Sequence, residues 1–151
     1  MKIGELQNLK TKKAVISFYP EATASEIADK MDLEDIGAVP IVSHEKKIIG
    51  IVSERDIVRK LVKNGRDPDL VTANDIMTKD VKKLLLDNTI KEASMLMKTF
   101  NFRHLPVVDD NDNVIHFISH KDVISLNKPY EKKVLLFFLI VFLGLSLTIL
   151  F

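Results

Sequence analysis

The chain has no cysteine and no tryptophan, and only five glycines and five prolines among its 151 residues. Without cysteine there are no disulfides, no thiolate metal ligands and no cysteine nucleophile, which excludes an extracellular disulfide scaffold. An excess of one charge is missing too: 22 Lys and Arg face 21 Asp and Glu, a formal net charge of +1. Nothing electrostatic therefore predicts a nucleic acid partner. Residues 1–13 are polar and contain lysines, without the apolar stretch of a signal peptide. Neither G-x-x-x-x-G-K-[ST] nor G-x-G-x-x-G occurs, so the sequence lacks the loops that serve nucleotide hydrolysis and dinucleotide redox chemistry.

Long hydrophobic runs are equally scarce until residues 134–151, which read VLLFFLIVFLGLSLTILF; every Lys, Arg, Asp and Glu lies upstream. At about 1.5 Å per residue this run makes a helix about 27 Å long, close to the roughly 30 Å hydrocarbon core of a bilayer. A core helix of that composition would need a large body around every face, more than the preceding residues supply. A single C-terminal transmembrane helix is therefore predicted. Lys128, Lys132 and Lys133 precede it, and the positive-inside bias then puts residues 1–133 in the cytoplasm. The expectation is a tail-anchored, single-pass protein of a cell membrane.

What the chain does have is an internal repeat. Residues 14–58 align with 80–124 at a constant offset of 66 without a gap. The pairs Val15/Val81, Thr23/Thr89, Glu26/Glu92, Met31/Met97, Pro40/Pro106, Val42/Val108, Ser53/Ser119 and Asp56/Asp122 are identical. Each copy opens on a β-prone run (AVISF; VKKLLL) and reaches Thr-x-x-Glu, a capping box that starts a helix at Thr23 or Thr89. Ile90, Ala93, Met97 and Phe100 keep helical spacing, and copy one offers Ala24, Ile27, Ala28 and Met31. Two apolar strands around a five-residue polar turn (SHEKK; DDNDN) predict a β-hairpin. Ser53-Glu-Arg-Asp56 and Ser119-His-Lys-Asp122 then cap a further helix. The order in each copy is β-α-β-β-α, with 64–74 as connector. Neither half buries much alone, so the two are expected to share one core.

The segments Ala38-Val39-Pro40-Ile41-Val42 with Gly50-Ile-Val-Ser53-Glu-Arg-Asp56, and Arg103-His104-Leu105-Pro106-Val107-Val108 with His116-Phe-Ile-Ser119-His-Lys-Asp122, resemble paired CBS domains, a Bateman module. Asp75-Ile76-Met77-Thr78 resembles the segment that leads into such a domain, and the resemblance covers about residues 10–126. It implies an α/β fold of two CBS repeats, 10–63 and 75–126, packed through their sheets, with 64–74 as linker and 134–151 as the transmembrane helix. It also implies clefts between the repeats that bind adenine nucleotides or adenosyl ligands such as AMP, ADP, ATP or S-adenosylmethionine. Homodimers are implied as well, and no catalytic cofactor.

Under that resemblance Asp56 and Asp122 accept the ribose hydroxyls, while Ser53, Ser119 and the exposed helix N–H groups hold phosphate oxygens. Ala38, Val39 and Pro40, or His104, Leu105 and Pro106, lie near the adenine; Arg55, Arg103 and Lys121 are phosphate partners. The copies differ where Gly50 is matched by His116, a side chain placed to crowd the cleft, and where Gly37-Ala38 is matched by Arg103-His104. The two sites are therefore expected to differ in ligand or occupancy.

Other chemistry reads weakly. Ser119-His120-Lys121-Asp122 contains the letters of a hydrolase triad, but adjacent positions on a helical turn diverge. The acidic turn 109–113 lacks the Gly and distal Glu of an EF-hand loop. The expectation is thus a membrane-tethered regulatory module, not an enzyme, that senses an adenine nucleotide or adenosyl ligand and signals to a partner protein. Two alternatives stay open: a ligand-free adaptor docking on a channel or transporter, and a sensor of Mg2+ or another cation. An open cleft at Ser53/Asp56 or Ser119/Asp122 favours binding; a packed one favours the adaptor.

Overall fold

Thr23 and Thr89 start helices as their spacing predicts. In each, the threonine hydroxyl accepts the N–H of Glu26 or Glu92 at 3.2 Å, and that glutamate accepts the threonine N–H at 2.8 or 2.6 Å. Two of the backbone donors at each helix start are thereby satisfied. The computed structural model describes residues 1–6 and 14–126. Among these no helix is long and apolar enough to cross a membrane, and the predicted transmembrane run 134–151 lies outside the described residues.

Copy one consists of α1 (Ala24–Glu34), β1 (Ala38–Val42), β2 (Ile48–Ser53) and α2 (Glu54–Asp56); α3 (Ala73–Ile76) follows in the crossover. Copy two consists of β3 (Leu84–Leu85), α4 (Ile90–Phe100), β4 (His104–Val108), β5 (Val114–Ser119) and α5 (His120–Leu126). The constant offset holds in backbone detail. Asp35 and Asn101, one offset apart, both end their helices in the left-handed region, at φ 51° and 55°. Both hairpins are antiparallel and carry a register shift at the same place, between Ile41 and Val42 and between Val107 and Val108. The acidic turn is closed by its own side chain, since Asp109 Oδ1 accepts the N–H groups of Asn111 and Asn113, each at 2.9 Å.

Three expectations need correction. The opening strands are much shorter than AVISF and VKKLLL: copy one keeps only a bridge from Phe18 to Ile41, and copy two the parallel pair β3–β4. In copy two one inward residue anchors the strand, for Leu84 is fully buried while Leu85 and Leu86 are exposed. The helix after the first hairpin is not uniform. It continues from α2 as a π-turn over Ile57–Leu61 and a 3-10 turn over Val62–Asn64, whereas α5 is regular. Finally, the buried residues form two clusters, not one shared core.

Those clusters show how the copies are tied together. The first joins Ile27, Val39, Ile41 and Val52 of copy one to Val71, Ala73, Ile76 and Met77 of the segment leading into copy two. The second joins Leu84, Leu105, Val107 and Ile118 of copy two to Ile3 and Leu6 at the start of the chain. Backbone bonds fix both docks: Ala24 N–H to Val71 O at 2.8 Å, Ala73 N–H to Ala22 O at 2.8 Å, and Ile3 N–H to Asn88 O at 2.8 Å. Lys2 bridges Thr89 as Thr72 bridges Thr23. Each copy is thus completed by the segment that leads into the other. The sequence comparison missed this because residues 2 and 72 stand at an offset of 70, outside the gapless alignment.

Gly50 belongs to the same dock. A Cβ there would lie 2.8 Å from Met77 Cγ and 3.0 Å from its Cβ, atoms near the backbone that cannot swing away. The glycine is required by the crossover packing on the hairpin.

Ile3 is fully buried although it stands in an otherwise polar N-terminus. Ile3→Ala should lower the unfolding free energy by about 2–5 kcal/mol in urea melts. Leu33→Ala, at a residue 76% exposed, should change it by less than about 0.5 kcal/mol.

Candidate functional site: a cleft between the repeats

The two strand starts lie beside the two helix starts because one backbone bond is made twice. Glu54 N–H donates to Gly37 O at 3.1 Å, and His120 N–H donates to Arg103 O at 2.8 Å. Residues 37–38 and 103–104 are thereby drawn to the helix N-termini that carry the Ser-x-x-Asp motifs.

In copy one this corner opens into a cavity of about 410 Å3, within the roughly 300–1,000 Å3 range of ligand pockets. Its walls come from both repeats. Copy one supplies Gly37, Ala38, Ile51, the run 53–56, Arg59 and Lys60; the crossover supplies Thr78 and 80–82; copy two supplies 101–105. Of the residues assigned from sequence, Ala38, Ser53, Arg55, Asp56, Arg103, His104 and Leu105 line this one cavity. Val39, Pro40 and Pro106 do not; they are buried in β1 and β4. Ser119, Lys121 and Asp122 lie at the equivalent corner of copy two and are not part of its lining.

Asp56 is the centre of the polar wall. Its Oδ2 accepts the Ser53 N–H at 3.0 Å and the Ser53 hydroxyl at 2.6 Å. Its Oδ1 accepts the Thr78 hydroxyl at 3.1 Å and meets Lys60 Nζ at 2.8 Å. Burial alone would raise this carboxyl, but hydrogen bonds from Lys60 and Ser53 outweigh it and hold the pKa below the ordinary aspartate value. Lys60 also donates to Ile76 O at 2.6 Å, so one ammonium ties the cleft carboxylate to the crossover. Asp122 repeats only half of this. Ser119 donates its N–H and hydroxyl to Oδ2 at 2.8 and 2.7 Å, but the offset of 66 puts Leu126 where copy one has Lys60.

Sequence reasoning missed Lys60, Thr78 and Arg59. Lys60 stands four residues after Asp56, the spacing of a helical ion pair, and that signal was available. Thr78 ends the Asp-Ile-Met-Thr segment, but its reach to Asp56 depends on the crossover bridging back onto Ile51. The concern that His116 would crowd a cleft does not bear on this cavity, for neither Gly50 nor His116 lines it.

His104 sits where the halves meet. Its ring stacks on Phe117 with centroids 5.7 Å apart, and its Cε1 lies 3.5 Å from where a Cβ on Gly37 would be. Burial pushes its pKa below the usual histidine value; Glu54 and Asp122 pull upward against that, and Arg103 adds to the lowering.

This arrangement, two α/β repeats exchanging lead-in segments around a cleft with a Ser-x-x-Asp wall, defines a class of tandem-repeat α/β domains. Residues 3–63 and 73–128 match the model of the CBS domain, and the chain belongs to that family as a tandem pair. It is 40% identical over 128 residues to an uncharacterized protein of Methanopyrus kandleri, in an alignment covering 85% of this chain and 63% of that protein. The chain therefore spans less than two thirds of that relative's length. Similar solved structures include a CBS-domain-containing protein from Agrobacterium tumefaciens, with TM-score 0.73, 26% identity, and 82% and 91% of the two chains covered. Another is the CBS domain pair of protein MJ0100 in complex with 5'-methylthioadenosine and S-adenosylmethionine, with TM-score 0.72, 25% identity, and coverage of 83% and 94%.

The lowered pKa of His104 has a sign that can be measured. Between the unfolded value, about 6.5, and its lower folded value the unfolded chain binds more protons, so stability falls as pH falls through that window. Thermal melts should show His104→Gln losing less stability than the parent chain as pH drops below about 6.5, with the two converging in slope above it.

Proposed function

We propose that this CBS pair is a regulatory module, not a catalyst, which binds an adenine nucleotide or adenosyl ligand in the cleft at Asp56. Occupancy alters the relative pose of the two repeats, and a partner protein reads the change. The observation that carries this reading is an open cavity whose walls bring Ser53 and Asp56 of copy one together with Arg103 and His104 of copy two. A ligand there touches both halves at once. Ribose hydroxyls bond Asp56 Oδ1 in place of Thr78 or Lys60, Ala38 and Leu105 supply apolar surface for a base, and the arginines of the lining meet phosphates. MJ0100, a protein of the same fold, holds adenosyl compounds, which supports the same ligand class here. The adaptor reading anticipated a packed corner, and at Asp56 the corner is open. For a cation sensor, no group of three or more His, Asp or Glu among the described residues is placed to hold a metal ion.

The composition of 134–151 supports tethering to a cell membrane with the repeats in the cytoplasm. A tether raises local concentration and favours the homodimer that the resemblance implies.

Calorimetry on the full chain with AMP, ADP, ATP and S-adenosylmethionine tests the binding reading. At least one should give heat, and Asp56→Ala should weaken it about tenfold or more, the worth of charged hydrogen bonds to the ligand. Asp122→Ala should have a smaller effect; absence of heat with all four ligands in the parent chain would sink the reading. For the tether, the full chain should float with lipid vesicles, and Leu139→Lys with Leu143→Lys should leave it in the soluble fraction, each charge costing about 2.5–3.5 kcal/mol at mid-bilayer. Flotation that survives both lysines would exclude 134–151 as the anchor.

A further inference from the structure

The charges that line the cleft are unbalanced. Five Lys and Arg side chains line it, Arg55, Arg59, Lys60, Lys82 and Arg103, against three carboxylates, Glu54, Asp56 and Asp80. Two of the carboxylates are already matched, Asp56 by Lys60 and Asp80 by Lys82, each pair at 2.8 Å. Among the described residues Arg55, Arg59 and Arg103 have no ion-pair partner, and Glu54 alone stands against them. The chain as a whole is close to neutral, so this excess of two positive charges is a local property of the cleft. It is also drawn from both repeats, with Arg55 and Arg59 on the segment after β2 and Arg103 beside β4.

A cationic ligand entering such a cavity meets repulsion, while an anionic one gains three unengaged guanidinium groups suited to phosphate. S-adenosylmethionine carries a sulfonium, 5'-methylthioadenosine is uncharged at sulfur, and ADP is polyanionic; all three share the adenosyl group. Resting on the adenosyl-binding reading above, we propose that this cleft selects a phosphate-bearing nucleotide over sulfonium adenosyl compounds, and that Arg59, with Arg55 and Arg103, determines the choice. Arg59 is a specificity-determining residue that the Ser-x-x-Asp motif does not include.

The test is calorimetry on the full chain with ADP, 5'-methylthioadenosine and S-adenosylmethionine. The expected order is ADP tightest by about tenfold or more and S-adenosylmethionine weakest, the scale of a few partly screened charge contacts. Raising ionic strength from about 0.01 M to about 1 M shortens the screening length from about 30 Å to about 3 Å, and should narrow the gap between ADP and 5'-methylthioadenosine. Arg59→Glu, and separately Arg55→Ala with Arg59→Ala, should weaken ADP several-fold and leave 5'-methylthioadenosine within about twofold; all these positions are exposed, and thermal melts confirm that the variants fold. If 5'-methylthioadenosine binds but ADP is no tighter, or S-adenosylmethionine is the tightest, charge selection is wrong while adenosyl binding stands. If none of the three binds, the adenosyl reading itself fails and the selection falls with it.

Discussion

Ala24 N–H donates to Val71 O and its neighbour Thr23 bridges Thr72, while Ile3 N–H donates to Asn88 O beside Thr89. Through these bonds each repeat buries residues that precede the other. The hydrophobic gain is substantial, because Ile3, Ala73 and Ile76 are fully buried and Leu6, Val71 and Met77 nearly so. A repeat of about fifty residues has too little core to be secure by itself. The exchange supplies what is lacking and holds the pair together in one step, without a single shared core.

The cleft follows from that exchange. The crossover that docks on copy one returns along β2, where Ile51 and Thr78 bridge, and it places Thr78 and Lys82 in the cavity wall. Lys60 closes the arrangement, reaching Asp56 on one side and the last carbonyl of α3 on the other. The polar centre of the cavity and the strap that joins the repeats are thus built from the same few bonds.

Much of this architecture was legible in the residue order. The capping boxes at Thr23 and Thr89, the hairpins, and the Ser53/Asp56 and Ser119/Asp122 helix starts all stand where spacing put them. Local patterns carry that information because each is satisfied within a few residues. What was hidden depends on contacts distant in sequence. Ile3 and Leu6 look unremarkable in a polar N-terminus until β3 and α4 stand over them. The opening strands are shorter than their β-prone runs because only Phe18 in copy one, and Leu84 and Leu85 in copy two, pair with a strand residue of the hairpins. In the cleft, Ser53, Asp56, Arg103 and His104 were visible through their motifs, whereas Thr78 reaches Asp56 across a separation of 22 residues that no local pattern encodes.

Gly50 illustrates how duplication and divergence meet in one chain. Its hairpin matches that of His116 pair by pair, down to the same register shift. Yet the space above Gly50 is filled by Met77, whereas the second hairpin carries an imidazole at that point. Grafting the β5 sequence onto β2 would drive a ring into the crossover and loosen the strap that completes copy one. The two hairpins are interchangeable as backbones and not as sequences, so the halves of this protein no longer share one set of permitted substitutions.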